Sequence, residues 1–206
     1  MSQLKEEHRK QVRKATLKSK EILEKDIGNQ LKKLGIYPDR RTSPEKLNLP
    51  VEKIQKRERI LEVLDKLKQR ELGDKTPQQF YTGEVAYTYF NRIIAIYLME
   101  KRELLSNVLE PDPEFGNKPE QLWHFEKITN IHQRDTLYQT YFNSVFNEIN
   151  EEIKKVFDTE DENSVLFPSA NAIDEILGQL IEKIPDEAWK EEERRKKKEE
   201  RNALCI

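Results

Sequence analysis

Thr88, Asn91 and Arg92 are the only polar residues in the run Val85–Met99, VAYTYFNRIIAIYLM, where twelve of fifteen residues are apolar or aromatic. Over the whole chain the hydrophobic share is only 35%. A spacing of i, i+3 and i+4 puts the three on one helix face. A carboxamide and a guanidinium in such surroundings must find hydrogen-bond partners. The expected chemistry is structural: Asn91 and Arg92 act as buried struts, donating to loop carbonyls or a carboxylate. The same stripe could instead line a groove for a partner domain. Tyr87, Tyr89, Phe90 and Tyr97 nearly encircle the helix, which predicts a central position with packing on several sides.

Other reactive residue types form no recognisable catalytic set. His124 with Glu126 and His132 with Asp135 match no His-x-x-x-His face or other metal motif. The six glycines are isolated, so no phosphate-cradling loop is present. Gly178 falls inside a helical pattern, where close helix packing is its expected reason. No serine or threonine pairs with a histidine as nucleophile and base, and the carboxylates read as solvated helix faces. Neither a catalytic, a cofactor-binding nor a metal-ligating residue is assigned.

Basic residues point weakly to nucleic acid. Ser2 to Lys33 holds ten Lys or Arg against five Asp or Glu, a local excess of five positive charges. Lys10, Arg13 and Lys14, with Arg40 and Arg41 further on, are the candidate DNA-backbone contacts. The whole chain has a formal net charge of −2, which fits neither a strongly basic binder nor an acidic mimic of DNA. Cys205 is the single cysteine, so an internal disulfide and a cysteine zinc site are excluded and a reducing, cytoplasmic setting is expected. There is no apolar leader near the first residues, no stretch long enough for a membrane span, and no prenylation signal.

The elements that position these residues are helical almost throughout. Expected helices cover about 3–34, 51–72, 77–99, 121–128, 135–157 and 169–184, followed by a charged one from 186. Thr76-Pro77-Gln78-Gln79 reads as an N-cap, a first-turn proline and a capping-box glutamine, and Ser169 as another N-cap. Tyr138, Tyr141, Phe142, Val145, Phe146, Ile149, Ile153, Val156 and Phe157 give the cleanest amphipathic pattern. The prolines and glycine of 110–119 mark a loop, and 158–163 an acidic one. Residues 186–201 carry seven charges of each sign, with Glu191–Arg195 and its neighbours in i, i+4 order, so this helix should project into solvent. The predicted fold class is all-α, a bundle of six or seven helices. It divides into a basic first helix (1–36), a bundle domain (37–185) and a charged helical tail (186–206).

Two stretches carry a family resemblance. Ala86, Tyr87, Thr88, Tyr89, Phe90, Asn91 and Arg92, then Ala95, Met99 and Glu100, resemble a helix near the start of the BREX (bacteriophage exclusion) adenine-specific DNA methyltransferases, the PglX family. Leu166-Phe167-Pro168, Ile176 to Ile184, Pro185 and Trp189 resemble a second family segment downstream, and LKKLGI at 31–36 fits the family's opening. Tyr87, Tyr89, Phe90, Asn91 and Arg92 are the family-marker residues. The resemblance runs to about residue 190. It implies, for a full-length member, S-adenosylmethionine as cofactor and methyl transfer to a flipped-out adenine within phage defence. The family's glycine-rich loop and Asn-Pro-Pro-Tyr motif are absent from this sequence. The expectation is therefore a scaffolding or docking piece, inactive alone, whether a truncated or frameshifted product, an expressed fragment or a separate protein. Its expected partner is a methyltransferase catalytic domain or another defence-system protein, with DNA as a further partner and no membrane. The alternative is a stand-alone interaction or regulatory protein acting on such a methyltransferase or on DNA.

Overall fold

A computed structural model describes residues 6–149, 156–185 and 189. Six α-helices carry the fold: α1 Glu6–Lys33, α2 Val51–Leu67, α3 Pro77–Lys101, α4 Glu120–Thr129, α5 Arg134–Glu148 and α6 Ala170–Ile181. Among the described residues there is no strand, only two isolated bridges, Ile36 with Arg41 and Asp112 with Lys118. The all-α bundle read from the periodicity is the architecture found.

Local chemistry accounts for several helix ends. Thr76 caps α3 through a complete capping box with Gln79, with Pro77 in the first turn. The Ser169 side chain caps α6 by accepting from the Ala172 amide. Gly35 (φ +71°) turns the chain after α1; a Cβ there would sit 2.5 Å from a Leu47 methyl, so both conformation and space demand glycine.

The core is continuous from α1 to α6. Leu23, Ile27 and Leu31 of α1 are fully buried, on a helix that packs against both α3 and α6. Residues 1–36 and 37–185 thus share one interior. α3 contacts α1, α2 and the 162–164 turn, and it buries Tyr81, Val85, Ala86, Tyr89, Ile93, Ile96 and Tyr97. Its expected central place is found, with one exception: Tyr87 is 64% exposed, so the aromatic residues do not encircle a buried helix.

Two helices are shorter than their apolar pattern. α2 stops at Leu67 rather than Leu72. α5 stops at Glu148 rather than Phe157, and Ile149 is already extended (ψ 138°). In an unbroken helix Phe146 and Phe157 would lie roughly 16 Å apart along the axis. Their ring centroids are instead 5.3 Å apart, and both rings are buried. The predicted charged tail lies outside the described residues, apart from Trp189.

Candidate functional site

Arg92 is the hub of the polar stripe and is 1% exposed. Its Nε donates to the Val156 carbonyl at 2.8 Å, and its Nη2 donates to the Asp158 carbonyl at 2.6 Å and to Ser164 Oγ at 2.9 Å. Ser164 Oγ in turn donates to the Asp158 carbonyl at 2.8 Å. The guanidinium carbon lies 5.1 Å from the centre of the Tyr89 ring and 5.4 Å from that of Phe146, so the charge is held between two π-faces. Burial pulls its pKa below the ordinary arginine value, while Tyr89, Asp161 and Asp158 oppose that shift. Of the two partner classes expected, loop carbonyls are the ones used. Val156 and Asp158 present them.

Tyrosines on the same helix complete the clasp. Tyr81 Oη donates to the Glu162 carbonyl at 3.4 Å and Tyr89 Oη to the Ser164 carbonyl at 3.2 Å. Burial pushes the Tyr89 hydroxyl up to about 12. Two carboxylates of the acidic loop read from the sequence act locally, Asp158 accepting from the Glu160 amide and Asp161 from the Asn163 amide, while Glu162 pairs with Lys66 of α2. Asn91 is not the buried strut expected. It is half-buried, as are Thr88 and Phe90, because α3 turns its 88/91 edge toward the rim and only Arg92 inward.

Two further carboxylates organise loops in ways periodicity did not reveal. Glu100, at the end of α3, accepts from the amides of Val108 at 2.9 Å, Leu109 at 3.0 Å and Glu110 at 3.5 Å. Burial raises its pKa, against the pull of those three amides. Asp26 of α1 accepts from Ser169 N at 2.9 Å and Ser169 Oγ at 2.8 Å, fixing the start of α6 from 143 residues away. The Gln30 amide beside it donates to the Phe167 carbonyl at 2.9 Å. Spacing within one helix cannot announce such long-range acceptors.

The DNA-contact candidates do not gather on one patch. Lys10 pairs with Glu6 at 2.9 Å, both exposed, and Arg13 and Lys14 are exposed on the same helix. Arg40 stacks on Tyr37 at 4.8 Å, and Arg41 bridges to Asp65 at 2.9 Å, past the far end of α1. At about 1.5 Å rise per residue, Lys10 and Lys33 are roughly 35 Å apart along α1. Six lysines, Lys18, Lys25, Lys32, Lys33, Lys53 and Lys56, share a groove of about 1110 Å³ between α1, α2 and the starts of α5 and α6, together with the acids Glu21, Asp26, Glu52, Asp135 and Glu175. Burial, then repulsion from Lys53 and Arg59, lowers the Lys56 pKa.

Neither histidine candidate forms a metal centre: among the described residues no group of three His, Cys, Asp or Glu could hold an ion. His124 lies 3.8 Å from Glu120 and beside the Trp123 ring, and His132 stands at the mouth of a cleft between α5 and α6. Gly178 also departs from its expected role. A Cβ built there would meet nothing within 4 Å, so close helix packing is not its reason; it opens onto that same cleft. Among the described residues, no helix is long and apolar enough to cross a membrane.

The two stretches that carry the family resemblance pack on each other. Tyr89 meets Phe167 edge-on at 5.2 Å, and Tyr97 meets Trp189 edge-on at 5.2 Å. Comparison with known proteins finds no matching family model, no matching curated protein and no matching solved structure.

Proposed function

We propose that this chain is a helical docking module of a BREX-type adenine-N6 DNA methyltransferase, contributing scaffolding rather than methyl transfer. One observation carries the reading. The resembling stretches, about eighty residues apart in sequence, meet as one unit through Tyr89–Phe167 and Tyr97–Trp189. A resemblance confined to unrelated surface segments would have no reason to converge on a shared core. Tyr81, Tyr89 and the Nε and Nη2 of Arg92 hold loop carbonyls, which suits a rigid scaffold. Methyl transfer would then belong to a partner domain with the glycine-rich loop and the Asn-Pro-Pro-Tyr motif, which this sequence lacks.

The test uses the purified chain, a separately purified catalytic domain of a BREX methyltransferase, labelled S-adenosylmethionine and adenine-containing duplex DNA. The chain alone should transfer no methyl group, and calorimetry should show saturable one-to-one binding to the catalytic domain. Turnover by the chain alone overturns the scaffolding role. Failure to bind the domain overturns the family assignment.

A second reading, contact with a nucleic-acid backbone, is favoured by the groove lysines Lys25, Lys32, Lys33, Lys53 and Lys56, which remain once Lys18 pairs with Glu21, although Asp26, Glu52, Asp135 and Glu175 also line the groove. Five phosphate contacts predict a slope of about −4.5 for log affinity against log salt on duplex DNA. An affinity that does not change with salt removes this reading.

A further inference from the structure

The cleft between α5 and α6 is built from two facing helical stripes. Leu137, Tyr138, Tyr141 and Phe142 of α5 form one wall, and Asp174, Leu177, Gly178 and Ile181 of α6 the other. Each set follows the i, i+3, i+4, i+7 rule or its continuation, so each is a true helix face. α6 therefore has two apolar faces. Ile173, Ile176 and Leu180 are buried in the core, while Leu177 and Ile181 remain half-buried at the cleft. Val108 and Leu122 also line the space, which measures about 500 Å³. That falls within the roughly 300–1,000 Å³ typical of small-molecule pockets.

Gly178 is the telling residue. Glycine inside a helix weakens it. No neighbouring atom lies within 4 Å of where its Cβ would be, so no packing constraint explains it. Its effect is to deepen the cleft at the middle of the α6 wall.

The charges at the mouth are already matched. Arg134 pairs with Asp174 and donates to Asn171 Oδ1 at 2.5 Å, and Tyr138 Oη donates to Asp174 at 2.8 Å. Lys118 pairs with Glu126 at 2.5 Å, and Glu182 lies 3.6 Å from Lys183. The Tyr141 hydroxyl is spent on the Val108 carbonyl at 2.9 Å. An ionic ligand would lose its water here without gaining an open counter-charge. We infer that the α5–α6 cleft binds a small, uncharged, largely apolar molecule of two or three rings, seated over Gly178.

The test is a fluorescence titration of the full chain with the neutral probe N-phenyl-1-naphthylamine, repeated with the anionic anilinonaphthalene sulfonate. Expected are saturable single-site binding of the neutral probe and binding of the anion at least tenfold weaker. Gly178→Leu should weaken the neutral probe at least tenfold and Gly178→Ala by a smaller factor. Gly28→Ala, in open space on α1, should leave it unchanged. Circular dichroism checks that each variant is folded; if the leucine variant is not, the alanine variant decides. Absence of saturable binding, or equal affinity in both folded Gly178 variants, overturns the site. Equal affinity for the anion overturns the preference for an uncharged ligand.

Discussion

Removing the Arg92 guanidinium should uncouple the 156–164 loop from α3. In Arg92→Met most of the buried volume is kept and the three hydrogen bonds to Val156, Asp158 and Ser164 are lost. Bonds from a charged donor contribute about 1.5–3 kcal/mol each. Two effects pull the sum down. The loop is partly open to solvent, so water can replace the donor at the carbonyls, and the buried charge no longer has to be desolvated. The net loss for Arg92→Met should be about 2–3 kcal/mol. Arg92→Ala adds a void between Tyr89 and Phe146 and should cost about 3–5 kcal/mol. Ser164→Ala removes an acceptor of Arg92 and a donor to Asp158, so a double-mutant cycle with Arg92→Met should show a coupling of about 1 kcal/mol. Urea denaturation gives the stabilities, and hydrogen exchange at the amides of 156–164 reports the loop. A loss below about 0.5 kcal/mol for Arg92→Met, with unchanged exchange in the loop, would refute the account of Arg92 as its anchor.

Gly178→Ala should raise stability by about 0.5–1 kcal/mol, because the methyl enters open space and the helix gains propensity; a thermal melt should move up by about 1–4 °C. Hydrogen bonds from Arg41 and Lys68 hold Asp65 down at about 2, so its contribution is present above the ordinary carboxylate value and lost as pH falls through about 2. Carboxyl NMR should show that depressed titration, and added salt should move it back up, since the pair is exposed. Glu100 behaves oppositely: with its folded pKa raised by burial, its contribution is greatest below the ordinary glutamate value and declines as pH rises through the elevated one. Glu100→Gln should remove that slope in pH-dependent urea melts, and Glu100→Ala should cost about 1–3 kcal/mol by leaving the 108–110 amides without an acceptor.

The sequence by itself determined what depends on neighbours a few residues away. The capping box at Thr76 and Gln79 and the Ser169 cap are set by side chains and backbones within one turn. Periodicity likewise marked which faces enter the core and why α3 is central. It also required that Arg92, in an apolar run, find hydrogen-bond partners. Only the tertiary structure decided which ones, because Val156, Asp158 and Ser164 lie 64 to 72 residues away from Arg92 in the chain. The same distance hid the grip of Asp26 on Ser169 and the cradle that Glu100 makes for the 108–110 amides. Asn91 and Gly178 show the limit most plainly. Their helical positions were legible, but whether a helix face meets a neighbour, a rim or an open cleft depends on how helices diverge in space, and no spacing along the chain encodes that angle.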